Sequence, residues 1–110
     1  MSTGAGATRG CAAIPERVRA LADAVAREAR RRLGPRARVV WFGSWVRGDA
    51  RPGSDIDLAV GSPEGVDPDA YAALSGFAEE LPTLYTIDLV NLDEAGESLR
   101  SEIERTRREL

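Results

Sequence analysis

Apolar residues return along this chain in two rhythms, and the switches between them lay out its elements. From Pro15 to Leu33, Val18, Leu21, Ala22, Val25, Ala29 and Leu33 recur every three or four positions, the period of one buried helix face. Pro15 suits a first helical position, and Gly34-Pro35 is a stop signal. Arg19, Asp23, Arg27, Arg30 and Arg31 fall on the opposite stripe, which reads as a solvated face. Arg38 to Phe42 is apolar with little alternation, the mark of a short strand covered on both sides. After Gly43-Ser44, the stretch from Trp45 to Gly48 fits one helical turn, and Asp49 to Ser54, with Pro52 and Gly53, is a loop.

A second strand runs from Asp55 to Val60, and Pro63, Gly65 and Pro68 break the loop that follows. Tyr71, Leu74, Phe77, Ala78 and Leu81 form one apolar face, predicting a helix from Pro68 to Leu81 that Pro82 ends. Leu84 to Leu92 is a third strand, with Thr86, Asp88 and Val90 on one face and Ile87 and Leu89 on the other. Asp93 to Gly96 turns the chain. Glu97 to Leu110 is then expected to be helical throughout, anchored by Leu99, Ile103 and Leu110 and supported by Glu104 and Arg108 one turn apart. Helix, strand, strand, helix, strand, helix predicts an α/β fold: a small mixed sheet with helices packed mainly on one face. The first two strands suit an antiparallel pair. The helix between the second and third allows a parallel crossover.

At 110 residues the chain has the length of one domain. Residues 1 to 13 are small and glycine-rich and predict a disordered leader, leaving 14 to 110 as the folded unit. A formal charge of -3 gives no sign of a dedicated nucleic-acid binder, which carries a basic excess. Every basic residue is arginine, which reads as compositional bias. With one cysteine, Cys11, and no histidine, disulfide, zinc and histidine-based chemistry all lack their residues, and the simplest expectation is a cytoplasmic protein. No stretch is apolar for the length of a bilayer crossing, and the leader lacks the apolar core of a signal peptide.

The candidate chemistry lies in carboxylates where strands expect apolar side chains. Asp55 and Asp57 are two apart and so point the same way, while Ile56 and Leu58 point the other. Asp88 interrupts the third strand between Ile87 and Leu89. A lone strand aspartate is usually just solvated, but three carboxylates gathered on one face repel unless a cation lies between them, and oxygen ligands favour magnesium or manganese. Such a set suits two ions about 3.5–4 Å apart, one on the phosphates and one activating a hydroxyl, with Asp88 on the nucleophile side. A calcium loop is disfavoured, because a dense run of oxygen ligands around a central glycine is missing. Gly43 permits a tight turn and Ser44 begins the next one, an arrangement that attracts phosphate or merely caps a helix. Neither a Walker loop nor a GxGxxG run is present. Arg47 is placed to reach a phosphate or to brace Asp49 or Asp55. Trp45 reads as core or surface cover, with base stacking the lesser alternative.

Gly43-Ser44, ten residues, then Asp55-Ile56-Asp57 resembles the signature of the polymerase-beta-like nucleotidyltransferase superfamily. The fuller run, Gly43-Ser44-Trp45-Val46-Arg47-Gly48 and Arg51 to Val60, is similar to its minimal nucleotidyltransferase branch, although Trp45 stands where smaller or polar side chains are commoner. The resemblance implies ATP as substrate with magnesium, two ions in all, Asp55 and Asp57 as ligands, Asp88 as the third carboxylate, and Gly43 and Ser44 on the phosphates. Members of this branch often pair with a HEPN-domain toxin, and some act as antitoxins by transferring AMP to a toxin tyrosine. A chain this short leaves little surface for an acceptor, so a second polypeptide or a homodimer partner would complete the site. Two other readings stand beside the enzyme: a binding module that inhibits its partner sterically, and a small-molecule modifier of the aminoglycoside type.

Overall fold

The computed structural model describes residues 14 to 110; the glycine-rich leader and Cys11 lie outside the described residues. Helix α1 (Glu16–Leu33) leads to β1 (Arg38–Phe42), a four-residue turn of helix α2 (Ser44–Arg47) and β2 (Ile56–Gly61). Helix α3 (Pro68–Glu79), β3 (Ile87–Asn91), a 3-10 turn (Leu92–Glu94), α4 (Glu97–Thr106) and a two-residue strand β4 (Arg108–Glu109) complete the fold. The sheet order is β3-β2-β1-β4. β1 pairs antiparallel with β2 and with β4, whereas β2 and β3 are parallel and are joined through α3. The mixed sheet, the antiparallel first pair and the crossover agree with the sequence reading.

Local chemistry accounts for the helix ends. Glu16 stands in the first turn of α1 and Arg30, Arg31 and Arg32 in its last, matching the sign of the helix dipole at each end. Gly34 leaves the helix at φ 108, a conformation that L side chains rarely adopt. In α3 the Asp67 carboxylate accepts from the Ala70 N–H at 2.9 Å, and Pro68 occupies a first position where no N–H is needed.

Two apolar layers flank the sheet. On one face Val39, Trp41, Ile56, Leu58 and Val60 meet Val18, Ala22, Val25, Ala26 and Ala29 of α1 and Leu74 and Ala78 of α3. The alanines let α1 lie close to the strands. On the other face Val40, Phe42 and Ala59 meet Ile103 of α4, with Leu92 and Leu99 beside them. Both interior strands are therefore buried on both sides, as their unalternating sequence predicted. The helices do sit mainly on one face, with α4 the exception.

The C-terminal stretch differs from its expected helix. It stays helical only to Thr106, and Arg108 and Glu109 turn back as β4 against Trp41 and Val40. Glu104 accordingly pairs with Arg107, and Leu110 packs against the α1-side core instead of anchoring α4. Tertiary partners outweigh helix propensity here. The Leu110 N–H donates to the Val39 carbonyl at 2.9 Å, Arg30 donates to the Leu110 carbonyl at 2.7 Å, and Arg38 pairs with Glu109 at 2.6 Å. Of the other strands, β1 spans the predicted residues, β2 is shifted by one so that Asp55 falls just before it and Gly61 ends it, and β3 is shorter than predicted, with Leu84 to Thr86 before it and Leu92 after it. Deleting Arg108–Leu110 should lower stability by about 2–3 kcal/mol, as several hydrogen bonds and the Leu110 packing go together; an unchanged urea midpoint would show that β4 holds nothing.

Candidate active site

The register of the parallel pair decides where the acidic residues meet. Asp57 of β2 lies directly opposite Asp88 of β3. Partners in register share a face, so both side chains leave the sheet on the side away from α1 and α3. Asp55 is two residues before Asp57 and follows the same alternation, although it precedes the strand and is exposed. The Ile56 N–H donates to the Thr86 carbonyl at 2.9 Å, which ties the entry to β2 to the entry to β3. Three carboxylates thus come to one end of one face. Among the described residues no three acidic groups stand close enough to hold an ion as they lie, so a single ion would have to draw their side chains together.

Electrostatics mark Asp57 as the strained member. Burial, then the negative charges of Asp88 and Asp55, push its carboxyl up to about 6, with Glu102 adding to the rise and Arg47 opposing it. A cation among these oxygens would relieve that repulsion, and an all-oxygen donor set suits a hard divalent ion such as magnesium. The residues present therefore fit the metal that the sequence pattern anticipates.

The Gly43-Ser44 turn has a steric reason to begin with glycine. Gly43 is buried at φ 88, and a Cβ on it would stand 2.2 Å from the Asp57 Oδ2. Only a bare backbone can pass this carboxylate. Gly43, Ser44 and Arg47 then line an open cavity of about 450 Å³ with Asp55 and Asp57. Gly53 and Ser54 form its other side. Asp88 does not line this cavity; it stands on the neighbouring strand, behind Asp57 as seen from the turn.

Trp45 is core, 6% exposed, and meets Tyr85 edge to face at 6.2 Å between ring centroids. Its indole N–H donates to the Ser54 carbonyl at 3.1 Å. The loop before Asp55 is closed on itself as well, since the Arg51 N–H donates to Ser54 Oγ at 2.8 Å and the Ser54 N–H to the Arg51 carbonyl at 2.9 Å. Trp45 therefore positions the acidic pair through the loop and leaves no exposed ring for a base.

Arg47 pairs with Asp49 at 3.3 Å, the bracing arrangement, and also with Glu102 at 3.3 Å. Glu102 lines the same cavity from α4, and the sequence reading did not single it out. Its only local signal is adjacency to the apolar Ile103; its meeting with Arg47 spans 55 residues of chain.

Two outcomes follow from this geometry. Gly43→Ala should destabilise the protein by about 2–4 kcal/mol, from the positive φ and the collision with Asp57 together. Part of that loss should return in an Asp57→Ala background, and an equal loss in both backgrounds would remove Asp57 as the cause. In metal-free protein the raised Asp57 group makes the folded chain bind more protons than the unfolded chain between its ordinary value and about 6. Its contribution is complete below that window and is lost as pH rises through it. Asp57→Asn should therefore be more stable than the parent near pH 8 and lose this advantage near pH 4 in thermal melts; parallel melting profiles would contradict the burial and repulsion argument.

A family model described as a nucleotidyltransferase domain matches residues 23–110. No curated protein matches the chain. Among solved structures, one described as a minimal nucleotidyltransferase is 35% identical, with TM-score 0.65, over 86% of this chain and 94% of that one. A toxin-antitoxin complex with AMP-PNP contains a chain 26% identical, with TM-score 0.63, over 80% of this chain and 70% of that one. A tri-AMPylated Shewanella oneidensis HEPN toxin in complex with MNT antitoxin contains a chain 20% identical, with TM-score 0.62, over 84% and 70% respectively, a likeness of fold alone. The chain belongs to the nucleotidyltransferase domain family and has the polymerase-beta-like fold in the short form of a minimal nucleotidyltransferase.

Proposed function

We propose that this protein transfers AMP from ATP, with magnesium, to a hydroxyl of a partner protein, a tyrosine of a HEPN-type toxin, with pyrophosphate leaving as the α–β phosphoanhydride breaks, and so acts as an antitoxin. The observation that carries the reading is the in-register Asp57–Asp88 pair beside the glycine turn, on a nucleotidyltransferase fold. Support for a nucleotide and a toxin partner comes from the 26% identical relative in a toxin-antitoxin complex with AMP-PNP.

In this reading Asp55 and Asp57 hold magnesium, and Asp88 completes the carboxylate set on the side of the incoming hydroxyl. When bound, the metal supplies charge neutralisation of the phosphates and lowers the barrier to deprotonating the acceptor. Gly43, bare against Asp57, lets the turn's backbone line the phosphate cavity, and the Ser44 hydroxyl offers the phosphates a hydrogen bond. Arg47 lines the same cavity and offers a forked donor for phosphate oxygens. Asp88, outside that cavity and exposed, is available to accept the proton of the acceptor hydroxyl. Among the described residues the cavity around these groups is open, which suits an acceptor carried by another polypeptide. No helix among the described residues is long and apolar enough to cross a membrane.

The test is intact mass of a co-expressed HEPN-type partner. An added AMP is expected with the parent protein, and Asp55→Asn or Asp57→Asn should reduce the transfer rate about a hundredfold or more, the scale of losing metal-borne charge stabilisation. A double mutant that still neutralises the partner completely would turn the reading to steric inhibition. Transfer to an aminoglycoside with no partner present would turn it to a small-molecule modifier.

A further inference from the structure

Glu102 has no part in the reading above, yet it lines the same cavity as the glycine turn. Its place is set by its neighbour: Ile103, 1% exposed, is buried between α4 and the sheet, and Leu99 packs beside it. That anchoring brings the Glu102 carboxylate to Arg47, with Nη1 to Oε2 at 3.3 Å. The guanidinium also meets Asp49, Nε to Oδ2 at 3.3 Å. Arg47 is the one basic residue among the described groups lining this cavity, while Asp55, Asp57 and Glu102 are all acidic. The cavity thus holds an excess of negative charge, and its cation is already engaged by two carboxylates.

A phosphate that approaches Arg47 competes with Glu102 for the guanidinium and lies beside its charge. A bare triphosphate meets repulsion there from three carboxylates. A triphosphate carrying a divalent cation meets much less, because the cation faces Asp55 and Asp57. We propose that Glu102 is a positioning residue that holds Arg47 and makes the cavity select cation-bearing over free polyphosphate. The inference rests on the nucleotidyl-transfer reading of the site.

Glu102→Gln keeps size and shape and removes the charge. Calorimetric titration with inorganic pyrophosphate and with ATP, each in chelator and in magnesium, reads the effect without any transfer activity. The variant should bind both metal-free probes about two- to fivefold tighter, the range of a half-exposed ion pair, while its affinity for magnesium-ATP changes less. In an Arg47→Ala background the same substitution should give a smaller gain. A structural role alone would move the melting temperature and all four affinities together. Unchanged or weaker metal-free binding by Glu102→Gln overturns the inference, as does a gain undiminished without Arg47, which would make Glu102 a diffuse charge. A parent protein that binds neither probe, with or without magnesium, removes the nucleotide reading and this inference with it; magnesium-ATP binding without the predicted Glu102 effect removes the inference alone.

Discussion

Mutual repulsion between carboxylates on adjacent parallel strands is the constraint around which this small domain is arranged. Asp57 occupies a position in an interior strand whose neighbours Ile56, Leu58, Ala59 and Val60 are all fully buried. Opposite it in register is another aspartate. Neither can swing to the far face without reversing the alternation that puts Ile56, Leu58 and Leu89 against the α1 and α3 core. The hydrophobic layer therefore holds the acidic residues where they repel, and burial of Asp57 keeps water from screening them fully. A cation among these oxygens would relieve that repulsion.

The surroundings are built to keep that arrangement from relaxing. Gly43 passes within a methyl group of Asp57 and so closes one direction of movement. Trp45 fills the core under the turn and fastens the following loop through the Ser54 carbonyl. On the far side, the Tyr71 hydroxyl of α3 donates to the Leu89 carbonyl at 2.9 Å, linking the crossover helix to β3 one residue beyond Asp88. The candidate groups thus stand on or beside strands and on a turn tied to the core, which gives better-defined geometry than long free loops would.

The second face of the sheet is divided between packing and the candidate site. α1 and α3 cover one side and supply most of the core, leaving the other to be shared by α4 and the acidic groups. α4 covers Val40, Phe42 and Ala59 through Ile103 and brings Glu102 to the rim of the cavity. The same element therefore completes the second apolar layer and contributes charge to the cavity. The pairing of β4 with β1 holds the chain beyond α4 to the sheet.

Much of this was legible in the chain because its determinants are local. The period of Val18, Ala22, Val25 and Ala29 can only suit a helix, and the runs Val39–Phe42 and Ile56–Val60 suit strands covered on both faces. Alternation alone put Asp55 with Asp57, and spacing from Gly43-Ser44 supplied the family resemblance. That Asp88 lies opposite Asp57 required the register of β2 on β3, which depends on how α3 packs and not on either strand by itself. The end of α4 was misread because Glu97 to Leu110 is a good helical sequence, and what stops it at Thr106 is the open edge of β1, a hydrogen-bonding surface that exists only once the sheet has formed. Glu102 was invisible for the same reason. Periodicity records which residues must be buried, whereas the meeting of Arg47 with Glu102 depends on where two separately buried elements come to rest.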